Sequence, residues 1–545
     1  MLRKFIFSLT FIGMLALIIL LARGVHAAPT STTFYVCDCG PEADAACQPG
    51  NDTNSGTTPN APWRSYEKAR MQFNTFSAGG EIRFCQGGAF DLGGAGNQWV
   101  SSGCMAGLPC VVADYTPPWA SGDVPRPILW QTTSNHAFDL AEGGNANYEE
   151  GYTFQNLDMR CTACSTGGWA FFFYNDVNDV LIDNIRMDGF DIGVHLAGSN
   201  PCAAGEVQCN GRNDRITIRR ATIVNSYSQG ILGGGDDILI EESYFENNGD
   251  GSVFDHNIYV SGSNGMTIRN NELYRSSLDG SGNCGGTSLV GHGVLADVLI
   301  EGNWVHEDVG KANQACWGIS ITAAYSTAEV FSNVIMRGNR VENVGNVAIG
   351  ASACLDCTIE NNVIVHQQPF GVTAIAIPDL APGAGDAVSS NMIVRNNSLA
   401  LSGGTGIRLN EGSGHILVSN AIRLIGNDAN WNCLDAALSA DSYTAIDYNL
   451  CQFGTGEWAD GVGSLAAWQA LGWGAHSQVA DPGFVSDVNL YPLAETAALV
   501  GAGHPSLSSP TDFDGNPRAG TPDAGAYEWI EPLVLLFLYL PLAIR

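Results

Sequence analysis

Short segments of alternating apolar and polar residues recur along the middle of the chain, and each ends at a turn, often at an asparagine. Alternation over so few residues is typical of β-strands, because successive side chains of a strand point to opposite faces. The segments starting at 216 and 238 are 22 residues apart, and those starting at 334 and 357 are 23 residues apart. The ten segments occupy residues 152–159, 180–187, 216–223, 238–245, 266–273, 298–305, 334–341, 357–364, 392–399 and 415–422.

A repeat this short excludes most repeating folds. A propeller blade needs about 40 residues, and a leucine-rich repeat needs a regular frame of leucines that the segments lack. The pattern predicts a parallel β-helix, in which each strand pairs with its equivalent one coil further along, about 4.8 Å away. One position of the repeat is an asparagine, and we expect its side chains to form a stacked ladder that stabilises the bend. The ladder residues are Asn271, Asn303, Asn339, Asn362, Asn397 and Asn420.

Each coil also contains a second short apolar strand, and three consecutive coils have a long turn before it. Because equivalent turns of a β-helix stack, we expect these three turns to be neighbours in space. They are residues 246–256, 274–292 and 306–317. Other insertions follow the second strand, so they should lie at a different corner. They are residues 197–214, 322–333 and 376–391.

The composition narrows the possible partners. Only 14% of the residues are charged, and the formal net charge is −31. Because phosphate contacts need lysine and arginine, this balance argues against a nucleic-acid-binding protein. Carboxylate-rich loops suit divalent cations, so calcium is the cofactor that we expect, with plain solubility as the alternative explanation of the acidity.

Residues 1–28 have the features of a secretory signal peptide, with an uncleaved membrane anchor as the alternative. A basic start at Arg3 and Lys4 precedes a long apolar run and small residues suited to cleavage. The 16 cysteines of an exported chain indicate disulfides. The predicted pairs are Cys104–Cys110, Cys202–Cys209 and Cys433–Cys451.

Both ends of the chain carry a resemblance to known proteins. Residues 33–69 contain an extended strand, a loop rich in Gly, Asn and Asp, and a Pro-aromatic step into a short helix. Together with the repeat, this opening resembles secreted right-handed parallel β-helix proteins of the pectate-lyase-like class. Residues 464–484, 489–503 and 512–529 resemble the end segment of the choice-of-anchor Q proteins of bacterial surfaces.

The resemblance implies an all-β protein, a single-stranded right-handed parallel β-helix (a solenoid) with capped ends. It also implies a monomer that is secreted or associated with the cell surface and whose partner is a polysaccharide or surface glycan. The apolar tail is too short to span a bilayer comfortably, so it suits either a final strand or an anchoring role. The expected parts are a signal peptide at 1–28, an N-terminal strand and helical cap at 33–79, the β-helix at 80–450, a C-terminal capping segment at 451–530 and the apolar tail at 531–545.

The pectate-lyase-like class includes lyases, hydrolases, epimerases and non-catalytic surface proteins, so the fold alone does not assign an activity. A calcium-dependent lyase needs carboxylates that hold the cation and a lysine or arginine base near the sugar. Lys311 follows Glu307 and Asp308 in the third long turn, and these residue types suit that chemistry. We therefore expect a carbohydrate-active protein, with a calcium-assisted lyase of acidic polysaccharides as the leading activity.

Two other functions stay open. A polygalacturonase-like hydrolase would have paired aspartates and a Gly-His-Gly motif. Asp236-Asp237 and Gly291-His292-Gly293 occur here, but that family's Asn-x-Asp and Arg-x-Lys partners are not found at matching positions. A rigid rod that binds glycans or other cells without catalysis is also compatible with the sequence.

The three coils with long turns can be aligned on their second strands, which start at Asn257, Gly293 and Gly318. In this alignment the residues just before these positions, His256, His292 and Trp317, are equivalent and should stack. Imidazoles there would be placed to transfer protons, and an indole would offer a stacking face for a sugar. In the alternative, the histidines only hydrogen-bond turn carbonyls and the tryptophan fills a bend. The predicted catalytic residues are His256, His292 and Lys311; the substrate-binding residues are Trp317, Tyr259 and Asp255; the metal ligands are Asp279, Glu307 and Asp308.

Overall fold

The computed structural model describes residues 32–93, 97–140, 150–198, 211–436, 439 and 441–531. Its strands form three long sheets, here called A, B and C, and all strands within them pair in parallel. Each coil runs through sheets A, B and C in turn and then returns to sheet A one step further along. The chain is therefore an all-β, right-handed parallel β-helix, which confirms the predicted fold class.

Over the described residues, each sheet contains fourteen strands. Sheet A consists of Thr33–Val36, Glu81–Cys85, Cys110–Tyr115, Glu150–Gln155, Asn178–Asp183, Ile216–Arg219, Leu239–Glu241, Thr267–Arg269, Leu299–Glu301, Ile335–Arg337, Thr358–Glu360, Ile393–Arg395, His415–Val418 and Tyr443–Asp447. Sheet B consists of Ala89–Asp91, Ile128–Gln131, Asp158–Cys161, Arg186–Asp188, Thr222–Val224, Tyr244–Glu246, Glu272–Tyr274, Trp304–His306, Arg340–Glu342, Val363–His366, Ser398–Leu401, Ala421–Leu424, Leu450–Gln452 and Gln478–Val479. Sheet C consists of Phe138–Asp139, Trp169–Tyr174, Ile192–Ala197, Gln229–Gly233, His256–Asn264, Leu289–Ala296, Ile319–Ile321, Val330–Ser332, Val347–Ala351, Cys354–Leu355, Val372–Ile377, Gly404–Leu409, Asn432–Ala436 and Glu457–Ala459.

Each segment of the sequence repeat contains two strands and not one. At 357–364, the sheet A strand Thr358–Glu360 ends at Asn361, and the sheet B strand Val363–His366 begins two residues later. Asn361 has a φ of 53°, a left-handed conformation that asparagine adopts more readily than most residues. The second strand predicted for each coil is the strand of sheet C.

The predicted asparagine ladder lies inside this bend, one residue after the left-handed position. Asn303 donates its main-chain N–H and its side-chain amide to Oδ1 of Asn339, at 3.0 Å each. The Asn303 amide also donates to the carbonyl of Ile268 in the preceding coil, at 2.9 Å. All six predicted asparagines belong to this buried ladder, and Asn449 extends it.

Helix α1, Tyr66–Phe73, packs on the first strands of sheet A. It begins at Ser65, whose hydroxyl accepts the main-chain N–H of Lys68 at 3.3 Å. The residues it buries lie at one-turn spacing on one face, and the Tyr66 hydroxyl donates to the carbonyl of Ala137 at 2.9 Å. The described residues include no helix that is long and apolar enough to cross a membrane.

Only the first part of the predicted capping segment lies at the end of the stack. Helix α2, Leu465–Ala470, buries Trp468 there, and strand Gln478–Val479 still joins sheet B. The chain from 481 to 531 instead folds back along the side of the β-helix, where it covers outward apolar residues of sheet B. The second hydrophobic cluster formed in this way contains Val363, Val365, Ala400, Ala421 and Leu450 from the strands, and Phe484, Leu490, Leu499 and Tyr527 from the segment.

Six disulfides occur among the described residues, and they fit a protein exported to an oxidising compartment. They include two of the predicted pairs, Cys104–Cys110 and Cys433–Cys451, with Cα atoms 5.4 and 6.3 Å apart. Cys354 and Cys357 are free and buried. The third predicted pair, Cys202–Cys209, lies outside the described residues, as do the signal peptide and residues 532–545 of the tail. The other disulfides are Cys37–Cys85, Cys39–Cys47, Cys161–Cys164 and Cys284–Cys316.

Candidate functional site

A cleft of about 640 Å³ lies on the outer face of sheet C. Its floor extends over four successive strands, from Gln229–Gly233 to Ile319–Ile321. One wall comes from the long turns before these strands and includes Phe254. The other wall comes from the insertions after the strands and includes Tyr325 and Leu380. The two groups of insertions, predicted at different corners, therefore enclose one cleft between them.

The floor consists of side chains at equivalent positions of successive strands. Leu232, Tyr259, Val290 and Ser320 are aligned in register across the four strands. Neighbouring strands of a sheet lie about 4.8 Å apart. The row therefore forms a line across the coils, parallel to the axis of the β-helix.

The predicted equivalence holds for His256 and Trp317 and is wrong for His292. His256 and Trp317 each lie two residues before a member of the paired row Ile258, Leu289 and Ile319. His292 pairs in register with Ser261, which lies five residues after His256 in the same strand. Pairing of this strand begins at Leu289, four residues before Gly293, so the apolar triplet at 293–295 lies near the end of the strand and not at its start.

All four predicted site residues that carry a ring, His256, Tyr259, His292 and Trp317, line the same cleft. The ring of Tyr259 lies between the two imidazoles, with its centroid 5.6 Å from that of His256 and 5.5 Å from that of His292. Trp317 is partly exposed two residues before the strand Ile319–Ile321, and its indole N–H donates to the carbonyl of Gln314 at 3.3 Å. The face of the indole, and not its polar edge, is therefore the part available to a ligand.

Both imidazoles are held in the same way. Nδ1 of His256 lies 2.8 Å from the carbonyl of Thr287, and Nδ1 of His292 lies 2.7 Å from the carbonyl of Thr322. A carbonyl only accepts, so each Nδ1 carries the proton and each Nε2 is left as an acceptor. Burial lowers the pKa of His256 to about 4 and also lowers the pKa of His292, so both rings are neutral near pH 7.

Glu329 fixes one wall of the cleft, a role that the sequence did not indicate. Its buried carboxylate accepts the main-chain N–H groups of Gly293 and Ala324 at 2.5 Å each and that of Tyr325 at 2.7 Å. These bonds hold the turn so that the Tyr325 ring stacks on His292, with centroids 4.8 Å apart. Glu329 therefore shapes the cleft without lining it.

Asp379 supports the floor from the insertion at 376–391. Its carboxylate accepts the hydroxyls of Ser320 at 2.5 Å and Thr322 at 2.9 Å, and both of these residues line the cleft. Burial raises the pKa of Asp379 to about 6, against the lowering effect of these hydrogen bonds. Gly350 provides the space, because a Cβ at this position would lie 2.5 Å from Oδ2 of Asp379.

Replacing Gly350 with alanine is expected to lower the free energy of unfolding by about 2 kcal/mol, a typical cost of overfilling a packed site. The added methyl group would displace Asp379 and break its bonds to Ser320 and Thr322. Thermal melting of the variant measures the effect. Gly280→Ala is the matched control, since a Cβ at Gly280 meets nothing within 4 Å. Equal melting temperatures for the two variants would contradict the role of Asp379.

The structure does not bring the other predicted site residues to the cleft. Lys311 donates its ammonium group to the carbonyl of Ser281 at 3.1 Å, in an exposed turn. Asp255 accepts the N–H of Asp250 at 3.2 Å, and burial raises its pKa to about 6. Neither Lys311 nor Asp255 is among the residues that line the cleft.

The three predicted metal ligands do not converge. Asp279 accepts two main-chain N–H groups of its own turn, and Asp308 bonds Arg275 at 2.8 Å and the hydroxyl of Tyr274 at 2.8 Å. Glu307 is buried beside a disulfide, and burial raises the pKa of its carboxyl group. In the described part of the chain, the groups of three potential ligand atoms within 4.8 Å of one another are Cys37, Cys47 and Cys85, and Cys284, Glu307 and Cys316. Because these cysteines are all in disulfides, the donor sets do not fit calcium.

The lining of the cleft is uncharged. Among the described residues that line it, none is an aspartate, glutamate, lysine or arginine. Its polar groups are amides, hydroxyls and neutral imidazoles. The cleft therefore offers ring faces and hydrogen-bonding groups but no full charge to a ligand.

Comparison with known proteins adds little to this description. No protein-family model matches the chain, and no curated protein matches it. A GH136 lacto-N-biosidase from Eubacterium ramulus has 13% identity and a TM-score of 0.42, over 66% of this chain and 67% of its own. An alginate lyase from Paenibacillus sp. str. FPU-7 has 11% identity and a TM-score of 0.35, over 65% and 99%. Pectate lyase Pel9A has 13% identity and a TM-score of 0.37, over 92% and 98%. At these identities and TM-scores the three likenesses assign no activity to this chain, and the resemblance to choice-of-anchor Q proteins stays a prediction.

Proposed function

We propose that this protein binds glycans and that the cleft on sheet C holds a segment of a neutral polysaccharide. The observation that carries the proposal is the lining, which combines aromatic rings with uncharged polar groups. Sugar rings present apolar C–H faces and a rim of hydroxyls. Aromatic faces can pack on the C–H faces of a sugar, and imidazole Nε2 atoms, amides and hydroxyls can form hydrogen bonds with its hydroxyls. The rings are those of His256, Tyr259, His292, Trp317 and Tyr325.

A neutral ligand suits this lining better than the acidic glycan that the sequence predicted. Uronate carboxylates are recognised most strongly by arginine or lysine through charge-assisted hydrogen bonds. The described lining residues include neither. The formal net charge of −31 would in addition repel a polyanion.

Binding without cleavage is better supported than a lyase or a hydrolase. Lys311, the expected base, lies outside the cleft, and the carboxylates of Glu329 and Asp379 are buried and already accept hydrogen bonds. A general base works best with a pKa near the operating pH, and the pKa of His256 is about 4. These groups therefore suit the shaping of a binding site more than proton transfer.

The proposal is tested by affinity electrophoresis of the purified protein in gels that contain single polysaccharides. We expect xylan, glucomannan or mixed-linkage β-glucan to retard it, alginate and polygalacturonate not to, and EDTA to make no difference. Retardation by the acidic polymers alone would contradict the proposal. Release of unsaturated uronate would instead support a lyase, and new reducing ends would support a hydrolase.

The affinity for the glycan is expected not to change between about pH 8 and about pH 7 and to be lower near pH 4. Binding uses the neutral imidazoles as acceptors, so protons compete with the ligand only near the pKa of the rings. The pKa of His256 is about 4 and that of His292 is also lowered. Isothermal titration calorimetry at a series of pH values measures this dependence. A loss of affinity centred on pH 6.5, the ordinary pKa of histidine, would contradict the neutral state of the rings.

A further inference from the structure

A second aromatic surface lies on sheet C, N-terminal to the cleft. Its five rings, here called the aromatic platform, are those of His136, Trp169, Phe172, Tyr174 and His195. Trp169 stacks on His136 with centroids 4.3 Å apart, and its centroid lies 4.6 Å from that of Phe172 and 4.3 Å from that of His195. The Phe172 and Tyr174 centroids are 6.0 Å apart. The rings therefore form one connected patch.

The platform faces away from the core. Phe171 and Phe173, the neighbours of Phe172 in its strand, are fully buried inside the β-helix. Because side chains alternate along a strand, Phe172 and Tyr174 point to the opposite, outer face. All five rings of the platform are partly exposed.

The platform and the cleft are joined through the strand register. Phe172 pairs with His195, His195 with Leu232, and Leu232 with Tyr259, one coil at a time. Leu232 and Tyr259 line the cleft. A single outward row therefore runs from the platform into the cleft, parallel to the axis of the β-helix.

The residue types of the platform are not explained by packing alone. Nδ1 of His136, Nε1 of Trp169 and Nδ1 of His195 are buried and have no hydrogen-bond partner in the described part of the chain. Phenylalanine would supply the same ring contacts without leaving a buried polar atom unpaired, which is costly. Burial also lowers the pKa of His195 to about 4 and lowers the pKa of His136, so these rings, like those of the cleft, are neutral.

We propose that the aromatic platform is a second binding site for the same neutral glycan, and that the ligand is a long polysaccharide lying along sheet C across both sites. This inference rests on the function proposed for the cleft. From Phe138–Asp139 to Ile319–Ile321 there are six steps between strands, about 29 Å at about 4.8 Å a step. One step is close to the length of one sugar residue in an extended chain. A short oligosaccharide would occupy only the cleft.

The test measures affinity against chain length by isothermal titration calorimetry, using the oligosaccharide series of whichever neutral polysaccharide retards the protein. For the wild-type protein, oligomers of about eight residues should bind at least tenfold more tightly than trimers. Trp169→Ala should remove this gain and leave the affinity for trimers unchanged. Phe172→Ala is a second variant with the same expectation, and the retained trimer binding shows that each variant is folded.

The outcomes separate this inference from the function of the cleft. If trimers and long oligomers bind the wild-type protein equally, or if Trp169→Ala and Phe172→Ala bind long oligomers as tightly as the wild type does, the platform is not a glycan site and the function of the cleft stands. If no neutral glycan binds the wild-type protein at any length, the proposed function fails and this inference fails with it.

Discussion

Replacing Asn339 with alanine is expected to lower the free energy of unfolding by about 4 kcal/mol, because several buried groups would each lose a partner at a cost of about 1–3 kcal/mol. The Asn339 amide oxygen accepts two hydrogen bonds from Asn303. Its amide nitrogen donates to the carbonyl of Ile300 at 2.9 Å and to Oδ1 of Asn362 at 3.1 Å. The three asparagines are buried, so water cannot take over these bonds.

Urea unfolding followed by tryptophan fluorescence measures this effect. Because a repeat protein can unfold in stages, the wild-type and variant proteins are compared at the first unfolding transition whose midpoint the substitution changes. Asn60→Ala, at an exposed position, is the matched control and should change the stability by less than about 0.5 kcal/mol. A loss of less than about 1 kcal/mol for Asn339→Ala would contradict an energetic role of the ladder.

Replacing Trp317 with alanine is expected to weaken the binding of neutral oligosaccharides about 30-fold. Covering the face of an indole with a sugar ring is worth about 2 kcal/mol, and each 1.4 kcal/mol corresponds to a factor of about ten. Trp317 is partly exposed at the cleft, so its removal takes away ligand contact more than core packing. The melting temperature should therefore change little.

Trp304→Ala is the matched control for this measurement. Trp304 is 40% exposed and lies on the outer face of sheet B, outside the cleft. We expect its replacement to change the affinity by less than about twofold. Equal losses for Trp304→Ala and Trp317→Ala would indicate nonspecific contact with surface aromatics. An unchanged affinity for Trp317→Ala would place the binding site elsewhere.

The proposed glycan site is formed by side chains that approach one another from turns on both sides of sheet C. Tyr325 is held against His292 by Glu329, which lies in a different insertion from the long turn that carries Phe254. A solenoid suits such a site, because each coil supplies one row of floor residues and loops can lengthen at its corners without disturbing the core.

The repeat in the sequence was sufficient to predict the parallel β-helix and its asparagine ladder. Both depend on a pattern that recurs locally in every coil, and a stacked fold places equivalent residues together by construction. The close spacing of two cysteines in an exported chain predicted the short-range disulfide Cys104–Cys110. It did not predict Cys37–Cys85 or Cys284–Cys316, whose partners are 48 and 32 residues apart, because spacing alone does not pair distant cysteines.

The sequence by itself determined that aromatic and imidazole side chains from consecutive coils would lie on one face, and His256, Tyr259, His292 and Trp317 do share a cleft. Only the tertiary structure decided their order, because the register depends on where hydrogen bonding between strands begins, at Leu289 and not at Gly293. It also decided which polar groups stay outside. Asp279, Asp308 and Lys311 form hydrogen bonds within the long turns or with nearby side chains, and not with groups of the cleft. The local sequence does not show which of these partners each side chain takes.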